Sequence, residues 1–242
     1  MNTVRRVELA EAWVLHSRPF SETSLIVEAF SRDFGRMGLV ARGGRRPRSR
    51  LALAALPFRL LLLSWTGRGE LATLIAAESA PRSSPMTPPA GEKLLAGMYL
   101  NELLLRLTRR EDPHPELFDH YSLALGDLCA AGTLEPALRR FELDLLASLG
   151  FGLNLESDIK GRALAPEAAY CYRMEQGAEA LPNGARTGAA MNFSGAELLG
   201  IARRDWDSRD VRRAASRLLR TAIDFYLDGK PLNTRKVFAA MR

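Results

Sequence analysis

Five of the nine residues from Arg42 to Arg50 are arginine (Arg42, Arg45, Arg46, Arg48 and Arg50), spaced only by Gly43, Gly44, Pro47 and Ser49. Glycine and proline keep such a run out of helix and strand, and a guanidinium keeps its charge at physiological pH while offering a planar fork of donors to phosphate oxygens. The chemistry on offer is phosphate binding without covalent change, and the partner it suits is a nucleic acid. A solvated loop that keeps the protein soluble is the other reading the run allows. Trp13, Phe20 and Trp65 share this N-terminal stretch and bring ring faces on which unpaired bases can stack, each stack worth roughly 1–3 kcal/mol. Trp13 reads as core, while Phe20 and Trp65, close to loops, fit either a core or a stacking role.

A second constellation lies in the segment Pro136 to Leu149. Arg139 precedes Leu143 by one helical turn and stands beside Leu146 on the wheel. An arginine bordering an apolar groove suits a peptide that ends in an aromatic residue and a carboxylate. The same spacing also describes a core helix with solvated Arg139 and Arg140.

Signatures of catalysis are missing. The sequence has no HExxH, GxSxG or GxGxxG, and Gly229-Lys230 resembles the end of a phosphate loop only until Asp224 is found in place of its first glycine and Pro231 in place of its hydroxyl. His16, His114 and His120 are scattered and offer no metal pair. No catalytic residue is assigned, and neither a cofactor nor a small-molecule substrate is expected.

The elements that must carry these residues are legible in the hydrophobic periodicity. Residues 1–80 read as five short antiparallel strands, Ala12 to His16, Ser24 to Phe30, Met37 to Ala41, Phe58 to Trp65 and Glu70 to Ala77, with turns at Asp33-Phe34-Gly35 and Gly67-Arg68-Gly69. Five strands of this size suggest an oligonucleotide-binding (OB) barrel, with an open sandwich or an SH3-like barrel possible on the same pattern. Pro81 to Pro89 interrupts both helix and ladder and sets the domain boundary. Beyond it the periodicity predicts helices over Glu92 to Arg109, Pro115 to Ala131 and Pro136 to Leu149, a capping box at Ser194 and Glu197, and a last helix from about Asp210 to Gly229. Phe151 to Asn192 fits neither template and is expected to be irregular, with short strands around Ala169 to Met174. The fold class expected is therefore α+β. It comprises an N-terminal five-stranded antiparallel OB barrel (1–80), an α-helical domain (81–152), and a C-terminal region (153–242) in which an irregular subdomain (153–192) precedes helices that pack on the helical domain.

Composition agrees. A net charge of +6 and a pI near 9.7 attract polyanions before any specific contact forms. The richest apolar stretch, Leu51 to Trp65, is broken by Pro57 and Arg59 and falls short of the roughly 20 residues a membrane span needs. Arg5, Arg6, Glu8 and Glu11 are unlike a signal peptide. With Cys129 and Cys171 far apart and no CxxC, a reducing, cytoplasmic setting is expected.

At the third helix the sequence resembles a known family. Pro136-Ala-Leu-Arg-Arg-Phe-Glu-Leu-Asp-Leu-Leu-Ala-Ser-Leu-Gly-Phe-Gly152 is similar to the central motif of the bacterial RecO recombination mediators. Val14-Leu-His-Ser-Arg-Pro-Phe-Ser-Glu-Thr-Ser-Leu25, Gly35-Arg-Met-Gly-Leu-Val-Ala-Arg-Gly43, Gly67-Arg-Gly-Glu70, Tyr99-Leu-Asn-Glu-Leu-Leu104 and Gly229-Lys-Pro-Leu232 stand in the family's order. The resemblance implies an OB barrel, a helical domain and a small C-terminal region. It implies a non-enzymatic function: binding single- and double-stranded DNA, annealing complementary strands coated by single-strand-binding protein (SSB), and, with RecR, helping to load RecA on gapped DNA. Arg42 and the loop arginines after it, together with Arg18 from the first block and Trp65, would then contact DNA. The acidic C-terminal tail of SSB would dock near Arg139, with Arg140, Leu143 and Tyr99 as further candidates. Some members carry a four-cysteine zinc module after the Leu-Gly-Phe-Gly motif; here that region has Asp158 and Cys171 and no second cysteine, so no zinc is expected. An OB protein that binds RNA is the alternative.

Overall fold

The computed structural model describes residues 6–67, 69–80, 89–130, 133–182 and 191–240, the side chains of 238–240 excepted. Arg68 and most of the Pro81 to Pro89 boundary fall outside them. The chain packs as two compact units, residues 1–131 with 233–242, and residues 132–232.

Five strands of the first unit close a barrel: β1 (Arg6–Pro19), β2 (Leu25–Ser31), β3 (Gly35–Ala41), β4 (Leu60–Thr66) and β5 (Ala72–Ser79), in the order β1-β2-β3-β5-β4 with β4 returning to β1. The expectation of an all-antiparallel sheet needs one correction. The seam between β3 and β5 is parallel and two residue pairs long, Leu39 with Ala72 and Val40 with Thr73. At this seam Gly38 lets backbones approach; a Cβ there would stand 2.4 Å from the Glu70 carbonyl oxygen. β1 is also far longer than its apolar centre suggested. Charged residues at its start point outward, and two β-bulges, between Val7 and Ala10 and between Val14 and His16, bend it so that one strand pairs with both β2 and β4. Leu9, in the first bulge, adopts φ 51° and donates its amide to Ser64 Oγ at 3.0 Å.

Helices α1 (Glu92–Leu107) and α2 (Pro115–Cys129) belong to the same unit, and Asn101 is one of the residues that fasten α1 to the barrel. Its Nδ2 donates to the Leu15 carbonyl of β1 at 2.7 Å, and its Oδ1 accepts from the buried Tyr121 hydroxyl of α2. Trp13 adds a bond from Nε1 to Ser122 Oγ at 2.8 Å and an edge-on contact with the Tyr121 ring. Thus α1 and α2, which the sequence grouped with the third helix, pack with the barrel. Burial pushes the Tyr121 hydroxyl well above its ordinary pKa, which keeps it a donor. Asn101→Ala strips both partners inside the core, and a cost of about 1–3 kcal/mol per group left unsatisfied is expected in urea unfolding; Tyr121→Phe should cost less, because Asn101 keeps its bond to Leu15.

A helix the periodicity did not reveal, α6 (Asn233–Ala240), also joins the first unit. Its first turn is capped by Glu102 of α1, which accepts from the amides of Asn233 at 2.8 Å and Thr234 at 2.9 Å and from the Thr234 hydroxyl at 2.7 Å. Burial raises the Glu102 pKa, but these donors and Arg106 outweigh it and hold the carboxyl below its ordinary value.

The second unit contains α3 (Leu134–Ser148), a three-stranded sheet of β6 (Ala169–Arg173), β7 (Gly177–Ala180) and β8 (Asn192–Ser194) in the order β7-β6-β8, and α4 (Gly195–Ala202) and α5 (Arg209–Tyr226). The capping box at the head of α4 forms as its spacing requires: Glu197 N donates to Ser194 Oγ at 3.1 Å and Ser194 N to Glu197 Oε2 at 2.7 Å. Leu146, Phe193, Leu198 and Leu218 centre its core. Between α3 and β6, the Asp158 carboxylate closes a turn. It accepts from Arg162 Nε at 2.8 Å and from the amides of Lys160 and Arg162 at 2.9 Å each, bonds that hold its pKa below the ordinary range.

Candidate nucleic-acid interface

The arginine loop leaves β3 at the buried Ala41 and is a chain of tight turns. Gly44 N donates to Ala41 O at 3.2 Å, Arg46 N to Gly43 O at 3.0 Å and Ser49 N to Arg46 O at 3.1 Å. Gly43, at φ 71°, supplies a left-handed step that a side chain would resist, and Arg48 takes another at φ 61°. The far end is pinned by Leu51 and Ala54, which enter the barrel core through a 3-10 turn over Ala52–Ala55. A second anchor runs to the β1–β2 turn: Arg45 N donates to Thr23 O at 2.9 Å and its Nη1 to Ser21 O at 3.0 Å.

This scaffold exposes all five loop arginines to solvent, and none of them meets a carboxylate among the described residues. Elsewhere in the same unit arginines are neutralised: Arg36 pairs with Glu28 at 3.0 Å, Arg110 also reaches Glu28, and Arg32 forks onto Asp119. The loop thus brings five exposed guanidiniums without an ion-pair partner among the described residues into nine consecutive positions. Arg18, near the end of β1, is exposed as well, but does not line the cleft beside the loop.

That cleft, of about 470 Å³, is lined by Phe20, Thr23 and Ser24 of the β1–β2 turn, by Arg42, Gly43 and Arg46 of the arginine loop, and by Val40, Leu71 and Thr73. Phe20 is 57% exposed. Trp65 is not part of the surface. It is 2% exposed, inside the barrel core, with the Phe34 ring edge-on at 5.2 Å, so no face of the indole is open to a base. The alternation of β4 turned it inward, and an isolated tryptophan near a predicted turn does not reveal which way the strand faces. Conversely, sequence reasoning missed Leu71 and Thr73. They reach the arginine loop only through the short parallel seam, a pairing between distant segments that no local pattern announces.

In the second unit α3 places Arg139, Arg140 and Leu143 on one helix, all partly buried, with Leu143 against the core. Arg139 is not solvated. Its side chain is 13% exposed and Nη1 lies 2.9 Å from Oε2 of Glu142, whose own side chain is 1% exposed, while Arg139 Nε makes no hydrogen bond among the described residues. Nearby on the same helix Asp144 pairs with Arg204. Tyr99 belongs to α1 in the first unit, buried, with the Arg235 guanidinium 5.8 Å above its ring.

Sequence comparison accounts for both units. Residues 5–81 match the family described as "Recombination protein O N terminal", and residues 89–236 match "Recombination protein O C terminal". The chain belongs to the RecO family. Among its relatives, a protein of Azoarcus sp. (strain BH72) is 44% identical over 98% of this chain and 97% of its own length. One from Alkalilimnicola ehrlichii is 47% identical over 96% and 91%, and one from Aliivibrio fischeri (strain ATCC 700601 / ES114) is 41% identical over 95% and 94%. All three bear the name DNA repair protein RecO. RecO membership places the chain among proteins of DNA repair and recombination, and its five-stranded barrel is the OB-type domain expected at the N-terminus. No helix among the described residues is long and apolar enough to cross a membrane.

Proposed function

We propose that this RecO-family chain is a recombination mediator that binds single- and double-stranded DNA through the barrel, anneals complementary strands coated by SSB, and with RecR promotes loading of RecA on gapped DNA. The observation that carries this reading is the arginine loop: five exposed guanidiniums without carboxylate partners among the described residues, braced on both sides, beside a cleft lined by the exposed Phe20. Two strands repel one another through their phosphates, and a surface that neutralises phosphates on both lowers the barrier to pairing without any bond being made or broken. Because such contacts are tolerant of base identity, one surface serves any sequence.

The second half of the proposal assigns α3 to the SSB tail. Arg139 retains donors beyond the one directed at Glu142, and the fork geometry of arginine allows a second carboxylate to share it. Arg140 and Leu143 flank it on the same helix. The test is annealing of complementary oligonucleotides precoated with the cognate SSB, comparing the full-length coat with one lacking its C-terminal tail. Annealing that needs the tail is expected. Annealing of bare strands only would remove the SSB assignment, and a preference for structured RNA with no response to SSB would replace the reading with an RNA-binding one.

A further inference from the structure

We infer that the cleft between Phe20 and the arginine loop receives a single unpaired base, and that Phe20 is the residue by which the barrel distinguishes single-stranded from paired DNA; the inference rests on the DNA-binding reading above. Phosphate contacts cannot make this distinction, since both forms present the same phosphodiester groups to Arg42 and Arg46. A base can. In a duplex both its faces are stacked and its pairing edge is occupied, so entering the cleft means leaving the helix, a cost that a single strand largely escapes.

The lining suits such an occupant. Phe20 and Leu71 are exposed apolar side chains, Val40 adds apolar surface, and Thr23, Ser24 and Thr73 contribute hydroxyls that can meet the polar edge of a base. The ring is mounted on a turn closed by Phe20 N donating to Ser24 O at 3.1 Å and Ser24 N to Ser21 Oγ at 3.2 Å. The same turn holds the arginine loop through Ser21 O and Thr23 O, both of which accept from Arg45. Aromatic wall and phosphate-binding arginines therefore form one braced assembly with a fixed spacing, as a platform for a nucleotide must. Annealing gains a direction from this. While a strand is unpaired, stacking and phosphate contacts both hold it; once its complement pairs, the base leaves Phe20 and only the phosphate contacts remain, so the product is released more readily than the substrate.

The experiment compares the full-length protein and its Phe20→Ala, Phe20→Trp and Arg46→Ala variants for binding to a labelled single strand and to the same strand in a duplex, by fluorescence anisotropy at one salt concentration. Phe20→Ala is expected to weaken single-strand binding by roughly 5- to 100-fold and leave duplex binding unchanged, and Arg46→Ala to weaken both. The new indole of Phe20→Trp should be quenched by the single strand and not by the duplex, measured against wild-type emission. Equal losses on the two substrates, no loss on either, or equal quenching by both would overturn the base site alone. A wild-type protein that binds neither form would remove the DNA-binding reading and this inference with it.

Discussion

Replacing Arg42, Arg45, Arg46, Arg48 and Arg50 together by glutamine is expected to flatten the dependence of single-strand affinity on salt. Each phosphate neutralised on a single strand releases about 0.7 of a condensed counterion, so the loss of five contacts lowers the slope of log affinity against log salt by about 3.5. Over a fourfold rise in salt that difference amounts to roughly a hundredfold in affinity. The loop should survive the change, because its turns are closed by backbone bonds and its far end is held by Leu51 and Ala54 in the core; the one side-chain brace lost is that of Arg45 to Ser21. Titrations at several salt concentrations, beside a thermal melt of each protein, separate the two effects. An unchanged slope with an unchanged melt would show that the loop is only a solvated surface.

What the sequence made legible, and what it did not, follows the range of the interactions. The arginine run, the capping box of Ser194 and Glu197 and the inward alternation of β2 and β3 are all written within a few residues, and each is found where its spacing placed it. The ends of β1 were invisible because bulges shift its register and its charged outer residues mask the alternation. Helix α6 is short, with its first turn held by Glu102 more than a hundred residues earlier, and local periodicity carries no trace of such a partner. The binding cleft divides along the same line. Its arginines and Phe20 stood out as residue types, but Leu71 and Thr73 arrive through barrel closure, and Trp65 departs because the strand that carries it turns that position inward. Arg139 repeats the lesson on a helix. Its place beside Leu143 and Leu146 was readable, yet the buried carboxylate three residues on gives it a structural task that an exposed-helix reading leaves out.

That task decides how Arg139 should be tested. Arg139→Ala would leave the Glu142 carboxylate, only 1% exposed, without the guanidinium that offsets its desolvation. Removing one member of a buried ion pair typically costs about 3–5 kcal/mol, whereas replacing both by apolar groups of similar volume is often neutral. The expected result in urea unfolding is therefore a large loss for Arg139→Ala and near-recovery for the double substitution Arg139→Met with Glu142→Leu. A single substitution that unfolds like wild type would show that the pair contributes little to the unit carrying α3. Loss of SSB-dependent annealing in Arg139→Ala alone would then be ambiguous, since a damaged helix and a missing carboxylate contact give the same readout. Arg139→Lys resolves it: the charge that Glu142 requires is retained, while the planar fork that could hold two carboxylates at once is gone. If the tail is gripped by that fork, Arg139→Lys should keep most of the stability and lose the tail-dependent part of annealing, and the stable double substitution should lose it as well. If both anneal like wild type, Arg139 serves the packing of α3 and the tail docks elsewhere.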